Sequence, residues 1–394
     1  MTQEQFALCD EVLTAEHSIA ERAAWLCETT PHKRRPYSQR NWGGPLHSLC
    51  SYQGKLKPSI AHFLIKYFTL PGEIVLDPLA GIGTIPLEAR RLGRIGLGND
   101  LSPLAYAVTS AKLEQLDTSV LRTLCEDLSA AVSSGSRNEK ILESTDVEWG
   151  LNGPIHTYYH PRTLAEIVAA RTYVYNCPTG PEINLLRASI LHILHGNRPY
   201  ALSRRSHPVT PLAPTGPAEY RSVIDRLTRR LDRVLPQLLQ LRESTPYGQA
   251  FQTDFRDLDV QPVDAVITSP PFAKSLRFWS ANWLRLWFAG WDREDFETQP
   301  PRYLETQQRN GYSPYKDLIM MSTRSLRQNG TLILHLGETK SECMADNILP
   351  LLSPDFRVRF VGKENVEDTQ SFGLTDKGAT IAHWYIFCER RDDR

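Results

Sequence analysis

Two short apolar runs, each ending in a polar corner, organise the hydrophobic pattern of the chain. Ile74-Val75-Leu76 leads into Asp77, and Val263-Asp264-Ala265-Val266-Ile267-Thr268 leads into Ser269. Both are β-branched and lack the polar alternation of a half-solvated strand, so both are predicted as buried strands. The first passes into Pro78-Leu79-Ala80-Gly81-Ile82-Gly83 and then a predicted helix from about Thr84 to Leu92, with Gly93 as its C-cap. Arg94 to Asp100 makes a second short strand whose terminal carboxylate lies 23 residues beyond Asp77. The second run stops at Ser269, because Pro270 and Pro271 cannot continue a sheet ladder.

The remaining periodicities are mostly helical. Phe6, Leu8, Val12, Leu13, Ile19, Ala23 and Leu26 recur at helical spacing and predict one or two helices over residues 4–28. Pro58 opens a helix through Thr69. Helices are predicted at about 101–128, 163–175, 182–194, 218–235 and 315–326, the fourth ended or kinked by Pro236. Residues 133–139 read as a flexible loop and 149–159 as an irregular aromatic passage. Gly196 to Gly216, rich in Pro, Ser and Arg, reads as a long loop of the functional or disordered kind. The sheet resumes at Gln252–Phe255. Strands follow at Gly330–Gly337 after an Asn329-Gly330 turn, at Arg357–Val361 and at Ile381–Cys388, with the polar segment 368–375 between the last two. The expected class is therefore α/β with a mixed sheet and a largely helical insert. The expected division is an N-terminal helical and basic extension (1–45), a catalytic domain (46–112 and 250–394) and the insert (113–249).

Composition narrows this only a little. With 394 residues the chain can bury one large core around an inserted unit. No run of 18 uncharged apolar residues occurs, and the first residues lack a signal core, so a cytoplasmic protein is expected. Seven cysteines without close pairing suggest reduced thiols. The pairs His156/His160 and His192/His195 have no acid or thiol nearby, and no metal is predicted. Lysine plus arginine and aspartate plus glutamate balance at 45 each, so any nucleic-acid surface must be a local patch. Arg34 and Arg35 in the basic segment 32–40, and Arg204, Arg205, Ser206 and His207 in the long loop, are the candidate phosphate and base-edge contacts.

Chemistry concentrates at the two corners. Strand, glycine turn, helix, strand and acid form a nucleotide-binding βαβ pattern, with Asp100 placed for ribose hydroxyls. The second corner presents the Ser269 hydroxyl and rigid Pro-Pro carbonyls beside Phe272. That suits gripping an exocyclic amino group while stacking on its ring. Lys274 and Arg277, interleaved with Phe278, Trp279 and Trp283, would clamp an extruded base.

Asp77 to Thr84 resembles the S-adenosylmethionine-binding motif of the amino-methyltransferases. Thr268-Ser-Pro-Pro-Phe272 is similar to their catalytic motif in the form typical of DNA N4-cytosine methyltransferases; the N6-adenine enzymes usually carry Asp or Asn in place of Ser269. His47 to Pro58 resembles the segment that closes over the methionine end of the cofactor. The resemblance covers about residues 46–112 and 250–390. It implies a Rossmann-like class I methyltransferase with seven strands and a reversed terminal hairpin. Tyr52, Gly54, Lys55, Asp77, Pro78, Ala80, Gly81, Gly83, Thr84, Asp100, Leu101, Asp254 and Phe255 would hold S-adenosylmethionine, and Ser269, Pro270, Pro271 and Phe272 would act on the target. The implied partner is double-stranded DNA in the nucleoid, with target recognition housed in the insert. A cognate restriction endonuclease and a monomeric or dimeric state stay open. Ser269, without a visible base partner, reads as an acceptor for the amine.

Alternatives remain. Gly83 to Ala89 also resembles the cofactor loop of RNA guanine-N2 methyltransferases, an N6-adenine enzyme keeps the same fold, and a non-catalytic nucleic-acid-binding relic is a further reading. A C5-cytosine enzyme needs a nucleophilic Cys after a proline, whereas Cys177 precedes its proline.

Overall fold

The computed structural model describes residues 17–39, 42–52, 54–135, 147–207, 210–273, 277–352, 355–366 and 380–391, with side chains 242–244 excepted. Four parallel strands form the centre and one flank of the sheet: β1 (Ile74–Asp77), β2 (Ile95–Asn99), β3 (Gln249–Phe251) and β4 (Val263–Thr268). The long β5 (Leu326–Thr339) pairs parallel with β4. A two-residue strand, β6 (Glu342–Cys343), folds back on the end of β5. β7 (Phe356–Asn365) and β8 (Thr380–Arg390) form the reversed hairpin, with β8 inserted antiparallel between β5 and β7. The order is β3-β2-β1-β4-β5-β8-β7, so the mixed sheet with its reversed terminal hairpin is as expected.

Helices cover both faces. α1 (Ile19–Thr29), α2 (Pro58–Phe68) and α3 (Thr84–Arg91) pack on the face carrying Val75, Ala265, Ile267, Ile333 and Tyr385. α4 (Pro103–Leu113) leaves β2 and leads into four further helices: α5 (Thr118–Gly135), α6 (Pro161–Asn176), α7 (Pro181–Ile193) and α8 (Val223–Ser244). Their core includes Leu128, Ile167, Leu186 and Leu227. It is continuous with Leu104 and Val108 of α4 and with Trp283 and Trp287, in the short helix that follows β4. α9 (Pro314–Ser325) and α10 (Met344–Ile348) cover the opposite sheet face.

Several sequence-based bounds need correction. α8 starts at Val223, not near Ala218, and runs through Pro236 to Ser244, so the helix does not end at that proline. A proline inside a helix costs ~3 kcal/mol, but a fully buried apolar side chain contributes roughly 1.5–3 kcal/mol. Val234, Leu238 and Leu241 are all buried around it, and Pro236 sits on the exposed side, where water can satisfy the freed carbonyl. Residues 101–128 are two helices, because Asp117 accepts the N–H groups of Ser119 and Val120 and starts α5 afresh. α5 extends to Gly135, into the loop predicted at 133–139; residues 136–139 of that loop lie outside the described residues. Asp254 and Phe255 are not in a strand. Asp254 accepts the N–H of Arg256 at 3.1 Å and caps a 3₁₀ turn, Phe255–Asp257, after β3 has ended. The expected helical residues 4–16, the segment 368–375 and Lys274 also lie outside the described residues.

Candidate active site

The carboxyl ends of β1, β2 and β4 converge, and two glycines shape the first loop. Gly81 and Gly83 hold φ of +52° and +69°, a region that favours glycine, and a Cβ on Gly83 would lie 2.8 Å from the Thr109 side chain of α4. Gly83 is the N-cap of α3. The N–H groups of Gly81 and Ser102 donate to opposite oxygens of Asp100, at 3.0 and 2.9 Å. Those bonds fix the carboxylate at the mouth of the loop, although burial pushes it up to about 6. The Tyr52 ring lies over Gly81, where a Cβ would touch it at 3.4 Å. Phe278 follows at 5.3 Å from Tyr52, and Tyr303 at 5.8 Å from Phe278. The buried Glu305 accepts the Phe278 N–H at 2.7 Å, and burial pushes its carboxyl up to about 7. Phe278, Tyr303 and Glu305 come from a segment that carries no recognisable motif, and sequence reasoning assigned none of them to the cofactor end.

Beside Asp100 opens a cleft of about 430 Å³, lined by Leu101, Thr253, Asp254, Trp291, Arg302 and Tyr303 among others. Asp254 is held by Arg256 at 3.0 Å, and Phe255 is buried beneath it. Of the other predicted cofactor residues, Pro78 and Ala80 lie in the loop, Gly54 is exposed with φ +79°, and Lys55 donates to the His47 carbonyl at 2.6 Å. The Thr84 hydroxyl is buried at the start of α3 without a partner among the described residues. Asp77 is itself buried. It accepts the Thr268 hydroxyl at 2.8 Å and the Leu79 N–H at 3.2 Å, tying the glycine loop to β4, while burial raises its carboxyl to about 7.

At the end of β4, Ser269 is half-buried, Pro270 buried and Pro271 half-buried. Ser269 Oγ lies 2.9 Å from Nδ1 of His335. This partner escaped sequence reasoning; the one available signal was a lone imidazole inside the apolar run Leu334-His335-Leu336 of β5. The register pairs Thr268 with Leu334, which brings His335 level with Ser269. The Phe272 ring packs against β5 at Gly337, where a Cβ would lie 2.5 Å from the ring. Its centroid is 5.3 Å from that of His335.

The candidate nucleic-acid contacts divide. Arg204 donates to the carbonyls of Thr157 (3.0 Å) and Gly216 (2.9 Å), and Ser206 is buried; Arg205 and His207 are exposed. Arg277 is exposed, Arg35 exposed and Arg34 half-buried. In the same basic segment, His32 and Lys33 are spent on Glu364 of β7, at 3.0 and 3.1 Å.

No family model matches the chain. A stretch of 93 residues, 24% of the chain, is 27% identical to the type II methyltransferase M.MjaII of Methanocaldococcus jannaschii, and the match spans 18% of that protein's length. Among solved structures, TrmN from Thermus thermophilus is similar over 91% of this chain and 54% of its own, at 14% identity and a TM-score of 0.35. The rRNA methyltransferase aviRa from Streptomyces viridochromogenes is similar over 88% of this chain and 90% of its own, at 11% identity and a TM-score of 0.34.

Proposed function

We propose that the protein is an S-adenosylmethionine-dependent methyltransferase acting on an exocyclic amine of nucleic acid, and that its target is N4 of cytosine in DNA. The observation that carries this reading is the joining of the two corners. The Asp77–Thr268 hydrogen bond sets the glycine loop and the Ser269-Pro-Pro-Phe272 corner side by side on adjacent strands. The local likeness to a type II methyltransferase supports methyl transfer.

The residues present fit the cofactor. Asp100 keeps lone pairs free for ribose hydroxyls, Gly81 and Gly83 hold the loop in its positive-φ turn beneath Tyr52, and Leu101 and Asp254 line the adjoining cleft. When bound, S-adenosylmethionine supplies an electrophilic methyl carbon on its sulfonium. Ser269 and the Pro270 carbonyl orient the target amine, whose lone pair is otherwise delocalised into the base ring. Their contribution is orientation and preplaced dipoles, and no covalent enzyme intermediate is needed. Phe272 offers the stacking edge for a base that must leave the duplex. Exposed Arg205, His207 and Arg277 are the outward-facing candidates for backbone contact.

Nucleoside mass spectrometry after incubation with isotopically labelled S-adenosylmethionine tests the reading, with unmethylated DNA and bulk tRNA as substrates and Ser269→Ala as control. Labelled N4-methylcytosine in DNA, lost in the variant, is the expected result. Label in adenine or in tRNA guanine would retain the methyltransferase and overturn the cytosine assignment.

A further inference from the structure

Resting on the methyltransferase reading, we propose that His335 is the proton acceptor that serves Ser269, so that the two form a Ser–His relay beside the amine. The hydrogen bond at 2.9 Å joins Ser269 Oγ to His335 Nδ1, and the imidazole is almost wholly buried. Its Nε2 has no partner among the described residues, so the Ser269 bond is the sole polar link that fixes its direction. The ring is held by neighbouring rings: His383 of β8 stacks on it at 4.9 Å, and Tyr385 of β8 and Phe272 lie tilted against it at 5.0 and 5.3 Å. Behind Tyr385, its hydroxyl donates to Glu364 of β7 at 3.1 Å, and Glu364 is paired with His32 and Lys33. No acidic side chain contacts the imidazole directly among the described residues. Burial and the neighbouring His383 hold it neutral, well below an ordinary histidine.

A neutral imidazole with a bare Nδ1 supplies what the serine alone lacks. The amine nitrogen forms its bond to the methyl carbon as the carbon–sulfur bond breaks and the electron pair leaves on sulfur as a thioether. The nitrogen becomes cationic and must lose one proton. That proton passes to Ser269 Oγ as the serine gives its own to His335 Nδ1, leaving an imidazolium, a neutral serine and a neutral secondary amine. A ring-conjugated ammonium is a strong acid, so a weakly basic imidazole is sufficient to accept its proton. His335 touches the amine only through Ser269 and is a positioning and relay residue.

The test compares wild type, Ser269→Ala, His335→Gln and the double variant, using labelled S-adenosylmethionine with mixed unmethylated DNA and bulk tRNA. Glutamine can still accept the serine hydrogen bond but takes up no proton. The relay predicts a kcat about 10²-fold lower in His335→Gln, unchanged KM and cofactor affinity, and a double variant no slower than Ser269→Ala alone. Ring ¹⁵N NMR of the wild type, with His335 assigned by its loss in the variant, should show Nε2–H and a bare Nδ1. Full kcat in His335→Gln, additive losses, or a proton on Nδ1 would overturn the relay while leaving the methyltransferase intact. Absence of transfer by the wild type would overturn the functional reading and the relay with it.

Discussion

Asp100 illustrates how one side chain can be placed by its sequence spacing and tuned by its surroundings. Its spacing from Asp77 marked it for ribose hydroxyls, but burial raises its carboxyl to about 6, which no spacing reveals. The sign of the consequence follows directly. Below about 6 the carboxyl is protonated and has lost acceptor capacity; above it the anion accepts hydroxyl hydrogen bonds fully. Affinity for S-adenosylmethionine should therefore rise with pH through about 6 and level off above it. Asp100→Asn should bind roughly 10-fold or more weakly, one charge-assisted hydrogen bond being worth about 1.5–3 kcal/mol, and should show no such rise. Calorimetric titration across this pH range checks both. Ser269 teaches the converse lesson. Its place at the end of a strand was legible from the two prolines that follow it, whereas its partner His335 lies 66 residues away and is brought to it only by strand pairing.

The end of β5 is where an element decides what a residue can do. The sequence predicts a strand over Gly330–Gly337, but not that Gly337 lies under the ring of Phe272. The contact arises because β5 pairs with β4, placing its last residues beside the corner that follows Thr268. A Cβ on Gly337 would meet Cδ2, Cγ and Cβ of Phe272 at 2.5–3.1 Å, so it cannot be absorbed by moving a flexible tip. Gly337→Ala should push Phe272 off β5. Overpacking of this kind costs typically 1–3 kcal/mol, and methyl transfer should fall by roughly 10²-fold, the order expected of a misplacement near 1 Å. Cofactor affinity should not change, because Gly81, Asp100 and Asp254 are untouched. Thermal unfolding and single-turnover transfer, measured on the same preparation, separate the two effects. The loop 196–216 shows a related division. Its Arg and Ser content marked it as a binding loop, yet Arg204 and Ser206 turn inward to the carbonyls of Thr157, Gly216 and Leu212, and with an isolated Arg205–Thr215 bridge these bonds hold the described part of the loop.

At the scale of the whole molecule, one buried carboxylate ties the segment over the glycine loop to the body of the fold. Glu88 of α3 is in contact with His47 at 2.6 Å, His62 at 3.0 Å and Arg91 at 2.9 Å. Burial alone would raise its carboxyl, but the bonds from His47 and His62 hold it down at about 2. A carboxyl lowered on folding contributes stability that is complete above its unfolded value and is lost as pH falls through the folded one. Burial holds His47 down at about 4, so near neutrality its bond to Glu88 is not an ion pair, and Glu88→Gln should cost about 1.5–3 kcal/mol there, the worth of hydrogen bonds to a charged group. The cost should shrink as pH falls from about 4.5, where the unfolded carboxyl takes up its proton, towards about 2, where the native one does. Denaturant unfolding at several pH values measures it. By itself the sequence determined the buried strands, the glycine loop, the proline-bounded corner and the mixed sheet, because each rests on local sterics: the φ of glycine, the missing N–H of proline and the period of apolar positions. Only the tertiary structure decided which distant groups meet: His335 beside Ser269, Phe278 beside Tyr52 with Glu305 on its N–H, and Glu364 on the basic segment. Those contacts depend on strand order and register, which bring together residues that no spacing along the chain relates.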